Sequence, residues 1–217
     1  MTRPRSTPET LARTRQARAS LTEAGPVMEA AARFLEARPR SIVETRRRLA
    51  RAGYPEALVE QVLSRLVEVG YLDDEAFARA WVESRDRTRP RGATALRREL
   101  LLRGVAPDVI AAALERRGPA EAEEAGRRDG MVAEAGAAER VLARRTRTLL
   151  REPDARRRRD RAYALLARNG FDPETCRAAV RRWMTATEGA TDVAAGTDQG
   201  ADQGADEGAD QGADAPD

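Results

Sequence analysis

Apolar residues recur along most of this chain at the spacing of helices with one buried face. The clearest stripe follows the i, i+3, i+4, i+7, i+8 pattern and consists of Val59, Val62, Leu63, Leu66 and Val67. Ala, Leu, Glu and Arg dominate the sequence, and residues that favour strands are sparse. The pattern therefore predicts an all-α fold.

One interruption of this pattern occurs three times with the same internal spacing. The copies are LARAGYPEALVEQVL at residues 49–63, LLLRGVAPDVIAAAL at residues 100–114 and LARNGFDPETCRAAV at residues 166–180. Each has glycine at its fifth place, which allows the left-handed backbone that ends a helix. Each has proline at its seventh or eighth place, which starts the next helix. Each copy therefore predicts a hairpin of two helices.

The copies begin 51 and then 66 residues apart, which leaves room for a third helix in each unit and for an insertion in the last. We therefore expect an elongated array of three tandem three-helix repeats, at residues 26–72, 73–118 and 119–185. Residues 1–25 are expected to be a disordered basic leader with at most a helical turn around Leu11. Residues 186–217 are expected to be a disordered, acidic, low-complexity tail, with the last helix ending after Met184.

Local signals place several helix ends. Ser41 and Glu44 fit a capping box, and Asp73 and Asp172 are placed to cap later helices. Pro55 is expected at the first position of its helix.

Two further expectations concern the second and third repeats. The segment SRDRTRPRG, residues 84–92, is expected to be a polar turn. The inward face of the long third-repeat helix is expected at Val141, Leu142, Arg145 and Leu149.

Charge is distributed unevenly along the chain. All 39 basic residues are arginine, and the net charge is +3. Residues 186–217 hold nine acidic residues and no basic one, which leaves +12 on residues 1–185 (39 minus 27). A body this basic implies affinity for polyanions or for an acidic protein face.

Catalytic and metal chemistry find little support. The chain has no histidine and a single cysteine, Cys176, which occupies a core position of the third hairpin copy. Asp73 and Asp74 are better explained by capping than by acid–base or metal chemistry. We expect no catalytic residue, no metal and no cofactor. A single cysteine cannot form an internal disulfide, so a reducing cytoplasm is expected. No apolar run is long enough to span a bilayer, so no membrane span is expected.

Three segments resemble the RecX family of recombinase regulators. They are RPRSIVETRRRLARAG at residues 38–53, GYLDDEAFARAWVESR at residues 70–85 and RGATALRRELLLRGV at residues 91–105. The resemblance covers residues 27–117 well and residues 138–184 loosely.

The resemblance implies an elongated protein that binds the RecA recombinase, especially its filament on single-stranded DNA. Such proteins lie in the filament groove and restrain strand exchange, ATP turnover and co-protease activity, without catalysis of their own. DNA repair, recombination and the SOS response are the implied setting, and a monomer is the expected state.

Arginine clusters are the candidate contacts with the filament or with DNA phosphates, and such contacts would be sensitive to salt. They are Arg46, Arg47, Arg85, Arg87, Arg89, Arg91, Arg156, Arg157, Arg158, Arg159, Arg181 and Arg182. For any one cluster, a solvated helix face with i,i+4 pairs to Glu remains the simpler interpretation. Two other functions stay open: a nonspecific DNA-binding module acting without RecA, and a helical scaffold for another partner.

Overall fold

The computed structural model describes residues 7–118 and 130–197, and all regular structure in these residues is helical, which confirms the all-α prediction. The first helices are α1 (Pro8–Ala19), α2 (Gly25–Glu36), α3 (Ile42–Ala52) and α4 (Glu56–Glu68). They are followed by α5 (Asp74–Thr88), α6 (Ala93–Leu102) and α7 (Pro107–Glu115). The last three are α8 (Gly130–Leu149), α9 (Ala155–Arg168) and α10 (Pro173–Thr197).

Helices α2 to α10 bury their apolar faces in three separate cores, each built by three consecutive helices. We call these groups unit 1 (α2–α4), unit 2 (α5–α7) and unit 3 (α8–α10). Leu49 and Leu63 are buried in unit 1, Leu96 and Ile110 in unit 2, and Leu142 with the other apolar residues of its cluster in unit 3. Each fully buried aliphatic side chain contributes about 1.5–3 kcal/mol to stability.

The three hairpin copies fold as their glycines predict. Gly53, Gly104 and Gly170 have φ of 90°, 81° and 83°, a region that other residues enter at a steric cost. The amide after each glycine donates to the carbonyl five residues back, as Tyr54 does to Leu49 at 3.4 Å. Together with the bond from each glycine amide to the carbonyl three residues back, this is the Schellman termination of a helix.

The predicted caps also form. Ser41 and Glu44 make the reciprocal capping box. Asp73 accepts from the amides of Glu75 and Ala76, and Asp172 accepts in the same way at the start of α10.

Two local predictions are wrong. Pro55 is the N-cap of α4 and not its first helical residue, because its ψ of 135° is extended. The expected turn over residues 84–92 begins only after Thr88. The residue before a proline avoids helical backbone, so Arg89, which precedes Pro90, is the first to leave the helix, with ψ of 79°.

The inward face of α8 also differs from the expectation at one position. Val141, Leu142 and Leu149 are buried as predicted, whereas Arg145 is exposed. Thr146 lies inward instead and accepts a 3.0 Å hydrogen bond from the Trp183 indole. A hydroxyl can be satisfied there by one bond, whereas a guanidinium would have to be desolvated.

Both ends of the chain contain more helix than expected. The leader was predicted to hold at most one turn around Leu11, but α1 has 12 residues, begins with a Thr7 cap and has no buried residue. Helix α10 continues 13 residues past Met184, to Thr197, and Thr185 and Thr187 bond back to carbonyls of the preceding turn. Residues 1–6, 119–129 and 198–217, which include parts of the predicted leader, insertion and tail, lie outside the described residues.

Candidate interaction surface

Units 1 and 2 meet where the hairpin of unit 2 packs on the start of α3. The Ser41 hydroxyl donates to the Arg103 carbonyl at 2.6 Å, and the Ile42 amide donates to Asp74 Oδ1 at 2.9 Å. A Cβ built on Gly104 would lie 2.5 Å from Val43 Cβ. Only glycine therefore allows this approach of the two backbones.

Units 2 and 3 meet through residues at the equivalent positions, with a backbone amide in place of the Ser41 hydroxyl. The Gly92 amide donates to the Asn169 carbonyl at 3.0 Å, and the Ala93 amide donates to Glu134 Oε1 at 2.9 Å. A Cβ built on Gly170 would lie 2.5 Å from Ala95 Cβ. The two junctions therefore follow one scheme. The start of the second helix of one unit binds two parts of the next unit: the glycine turn of its hairpin and a carboxylate of its first helix.

Helix α1 occupies the corresponding place on unit 1. The guanidiniums of Arg15 and Arg18 donate to the carbonyls of Arg51 and Ala52 at 2.9 and 3.2 Å, just before the Gly53 turn. Arg18 also lies over the Tyr54 ring at 5.2 Å. This docking explains why residues 8–19 are helical although they bury no side chain.

The junction between units 2 and 3 holds a buried ion cluster that the sequence did not reveal. The Arg117 side chain is 1% exposed and binds Asp86 through two nitrogens at 2.5 and 2.9 Å. It also lies 3.6 Å from Glu134 and donates to the Arg91 carbonyl. A signal was present, since Arg117 continues the apolar spacing of Ile110 and Leu114.

Burial shifts the ionisation of both carboxylates that cross the junctions. It raises the pKa of Asp74 above its ordinary value, against the opposing effect of the Ile42 amide. It likewise raises the pKa of Glu134, against the Ala93 amide and the Arg117 charge. Asp74 and Glu134 therefore join neighbouring units while their carboxylates are partly desolvated.

Several predicted contact arginines are engaged inside the protein. Arg46 binds Glu60 through two hydrogen bonds of 2.6 and 2.8 Å, and this pairing raises its pKa. Arg85 binds Glu99 at 2.7 Å, Arg91 binds Asn169 at 2.9 Å, and Arg182 binds Glu139 at 2.9 Å. The partners of these four arginines lie on other helices or at their ends. The interpretation as solvated helix faces with i,i+4 pairs to Glu therefore does not describe them.

The remaining predicted arginines are more available. Arg47 is exposed and makes only a 3.5 Å bond to the Leu102 carbonyl, and Arg158 is partly buried, with its Nε lacking a partner in the described chain. The exposed members whose side chains make no hydrogen bond or ion pair with described residues are Arg87, Arg89, Arg156, Arg157, Arg159 and Arg181. The exposed Arg97 and Arg98 of α6 share this state and were missed, although they form an adjacent pair in the sequence.

The other chemistry-bearing groups are placed as follows. Cys176 is fully buried in the unit 3 core, and burial raises the pKa of its thiol to about 11. No group of three or more metal-ligating side chains is clustered in the described residues. Within the same residues, no helix has the length and hydropathy needed to cross a bilayer.

Comparisons with known proteins agree with this architecture. Residues 28–66 match the first three-helix domain of RecX, and residues 73–114 match its second three-helix domain. The regulatory protein RecX of Mycobacterium ulcerans is 41% identical over 139 residues, which cover 64% of this chain and 73% of that protein.

Solved structures share the fold. A crystal structure of the regulatory protein RecX aligns with a TM-score of 0.58 at 20% identity, covering 81% of this chain and 78% of its own. RecX from Lactobacillus salivarius aligns with a TM-score of 0.56 at 15% identity, covering 73% of this chain and 95% of its own. With 41% identity to a relative that it covers over most of its length, the chain belongs to the RecX family of regulatory proteins.

Proposed function

We propose that this protein binds the RecA recombinase and its filament on single-stranded DNA, and that it modulates, chiefly by inhibition, recombinase, ATPase and co-protease activity. Family membership supports a regulatory role. The identity of the partner comes from the resemblance described above.

The observation that carries the proposal is the repetition of one junction geometry along the array. Ser41 and Gly92 bond the hairpin turns of the following units in equivalent ways, so the three units form a linear series of similar bodies. A filament is also a series of similar bodies, and an array of this kind can contact successive protomers at once. Joined contacts of this sort multiply affinity through effective concentration.

The exposed arginines supply charge for such binding. Arg87 and Arg89 lie at the end of α5, and Arg156, Arg157 and Arg159 lie in the first turns of α9. Their guanidiniums are free to bind carboxylates or phosphates.

Inhibition then follows from differential affinity. An array that binds adjacent protomers more tightly in one state of the filament lowers the rate at which they leave that state. ATP turnover and strand exchange, which require the protomers to cycle, would slow together.

A pull-down against RecA, with and without single-stranded DNA and ATP, tests the proposal. The array should be captured most strongly by RecA with both DNA and ATP, less by RecA alone and least by DNA alone. Equal capture by bare DNA and by the filament would overturn it.

A nonspecific DNA-binding module is the second candidate, and the unpaired arginines of α9 favour it. This function predicts affinity for bare single strands that falls with salt, with a log–log slope of about −0.7 per phosphate contacted. It also predicts equal effects on unrelated DNA-bound proteins. A scaffold for another partner would bind neither RecA nor DNA.

A further inference from the structure

A groove of about 810 Å³ lies between units 1 and 2 and is bordered by α2, the end of α4 and the start of α5. Its walls are mostly apolar and include Met28, Leu35, Val69, Tyr71 and Phe77. The volume falls within the range of about 300–1,000 Å³ that is typical of ligand sites. Every one of these residues belongs to the part of the chain that the structure describes.

Tyr71 is the most exposed large hydrophobic side chain of this groove, at 75%. Its neighbours in the segment GYLDDEAFA all have structural roles. Gly70 has a left-handed φ of 74°, Leu72 is 1% exposed, Asp73 caps α5 and Asp74 joins the units. The Tyr71 side chain makes no hydrogen bond with described residues, so its ring has no structural task that the fold shows.

The rim of the groove carries positive charge that the described residues neutralise only in part. Arg38 is exposed, and its side chain makes no ion pair with the described residues. Arg40 lies over the Phe34 ring at 4.3 Å, and its Nε is buried without a hydrogen-bond acceptor there. Burial and the nearby Arg38 charge lower the pKa of Arg40, against the opposing effect of the Glu44 charge. A carboxylate placed at this rim would neutralise both guanidiniums.

The acidic groups that also face the groove do not provide this neutralisation. The Asp73 carboxylate accepts the first amides of α5, and Glu36 makes no ion pair with either arginine in the described chain. Arg65, on the opposite rim, is paired with Glu68 at 3.2 Å. Among the groove arginines, Arg38 therefore has no carboxylate partner in the described residues, and Arg40 has only the nearby charge of Glu44.

We propose that this groove binds an acidic amphipathic helix on the surface of the recombinase, with its apolar stripe against Tyr71 and a carboxylate at Arg38 and Arg40. The inference rests on the proposed function, since it names the surface by which that partner would be held. An exposed aromatic beside a concave apolar wall is the usual energetic centre of a protein interface. Helical walls without a free strand edge in the described residues suit a helix laid into a groove.

Two other occupants fit less well. Residues 198–217 carry seven carboxylates but contain only Ala, Asp, Gly, Gln, Glu and Pro, so they lack side chains that would fill an apolar groove. A nucleic-acid strand would meet mostly apolar wall, with only the two rim guanidiniums for its phosphates.

Binding of the full chain to RecA filaments on immobilised single-stranded DNA, and to the bare DNA, tests the proposal. The variants are Tyr71→Ala and Arg38→Glu, both at exposed positions that should leave folding intact, as thermal melting can verify. The matched controls are Leu102→Ala, which truncates another exposed apolar residue at 68% exposure, and Arg145→Glu, which makes the same charge change at an exposed position of α8.

We expect Tyr71→Ala to weaken filament binding at least about tenfold and Arg38→Glu to weaken it by a smaller, salt-dependent factor. Neither should change binding to bare DNA, and both controls should bind the filament like the unaltered chain.

Three results would overturn the inference while leaving the proposed function standing. They are filament binding unchanged by Tyr71→Ala, an equal loss on bare DNA, which would make the groove a nucleic-acid surface, and a gain in affinity when the chain ends at Thr197, which would make the tail its occupant. If the unaltered chain shows no affinity for filaments, the proposed function fails and this inference fails with it.

Discussion

The two junctions of the array share their backbone contacts and differ in their side chains. In both, a hairpin glycine packs on the second helix of the preceding unit, and a carboxylate, Asp74 or Glu134, accepts the first amide of that helix. Only the junction between units 2 and 3 adds a buried arginine, Arg117, which binds two carboxylates. At the junction between units 1 and 2, Arg103 instead lies 3.6 Å from the Trp81 ring and 4.0 Å from Glu44.

This difference indicates that two junctions of the same backbone geometry differ in how strongly their side chains stabilise them. The glycine turn and the capping carboxylate set the position of each unit, because they are matched in geometry at both junctions. The Arg117 cluster fixes the second junction further, since a buried charge without its partner is costly. The first junction lacks such a cluster in the described residues. Grooves lie beside both junctions, of about 810 Å³ at the first and about 630 Å³ at the second.

The largest expected effect is at the second junction. Arg117→Ala leaves Glu134 partly buried without its cation and leaves Asp86 with only the half-exposed Arg140 at 3.8 Å, so the free energy of unfolding should fall by about 3–5 kcal/mol. Urea denaturation followed by circular dichroism measures this. Arg97→Ala, at an exposed position of α6, should change stability by no more than about 0.5 kcal/mol. Equal effects of the two substitutions would show that the Arg117 cluster does not stabilise the second junction.

The next effect separates backbone strain from close approach at the first junction. Gly104→Ala and Gly70→Ala both place alanine at left-handed φ, of 81° and 74°, at a cost of about 1–2 kcal/mol each. Only at Gly104 would the new Cβ meet another side chain, Val43, at 2.5 Å, whereas nothing lies within 4 Å at Gly70. Gly104→Ala should therefore destabilise the protein more in denaturant titrations. A smaller loss at Gly104 than at Gly70 would contradict the packing described here.

A smaller effect concerns the pH dependence of the first junction. Burial raises the pKa of Asp74, so the folded state binds a proton more readily than the unfolded state. The contribution of this carboxyl is fully present below its unfolded pKa and is lost as pH rises through the raised value. The stability of the unaltered chain relative to Asp74→Asn should therefore fall as pH rises through the carboxyl range.

Asp108→Asn, on an exposed turn of α7, is the matched control for this pH series. The difference in free energy of unfolding between the unaltered chain and Asp108→Asn should not show the same dependence on pH. If the unaltered chain instead gains stability relative to Asp74→Asn as pH rises, the carboxylate is stabilised in the folded state. That result would reverse our account of its burial.

The smallest perturbation uses Cys176 as a probe of unit 3. Its thiol is fully buried and its pKa is raised to about 11, so reaction with a disulfide reagent near neutral pH requires unit 3 to open. Arg117→Ala should speed this reaction, and Gly104→Ala, at the other junction, should speed it less. Equal rates in the two variants would indicate that the array opens as one cooperative body.

Much of this architecture follows from sequence because the signals are local. The glycine turns at residues 53, 104 and 170 and the caps at Ser41, Asp73 and Asp172 act over a few residues, so their patterns predicted nearly every helix start and stop in the described units. The errors at Pro55 and over residues 84–88 were also local, whereas the missed helix α1 depends on a distant contact. Helix α1 is held by carbonyls of residues 51 and 52, which no local pattern shows.

The candidate surface was less predictable than the fold. Clusters of arginine in sequence do not reveal whether a guanidinium faces solvent or a carboxylate on another helix. Arg46 and Arg85 prove to bind Glu60 and Glu99, whereas Arg87 and Arg89 remain exposed. Tyr71 belongs to one of the three segments that carry the family resemblance, yet only the structure shows that its ring is exposed above a groove.

The most direct test of the central claim is the rate of ATP hydrolysis by RecA filaments on single-stranded DNA as this protein is titrated in. Because an array that contacts adjacent protomers restrains more of the filament than it covers, we expect the rate to fall at ratios well below one chain per RecA protomer. A rate that stays constant from trace amounts to a large excess would contradict the account.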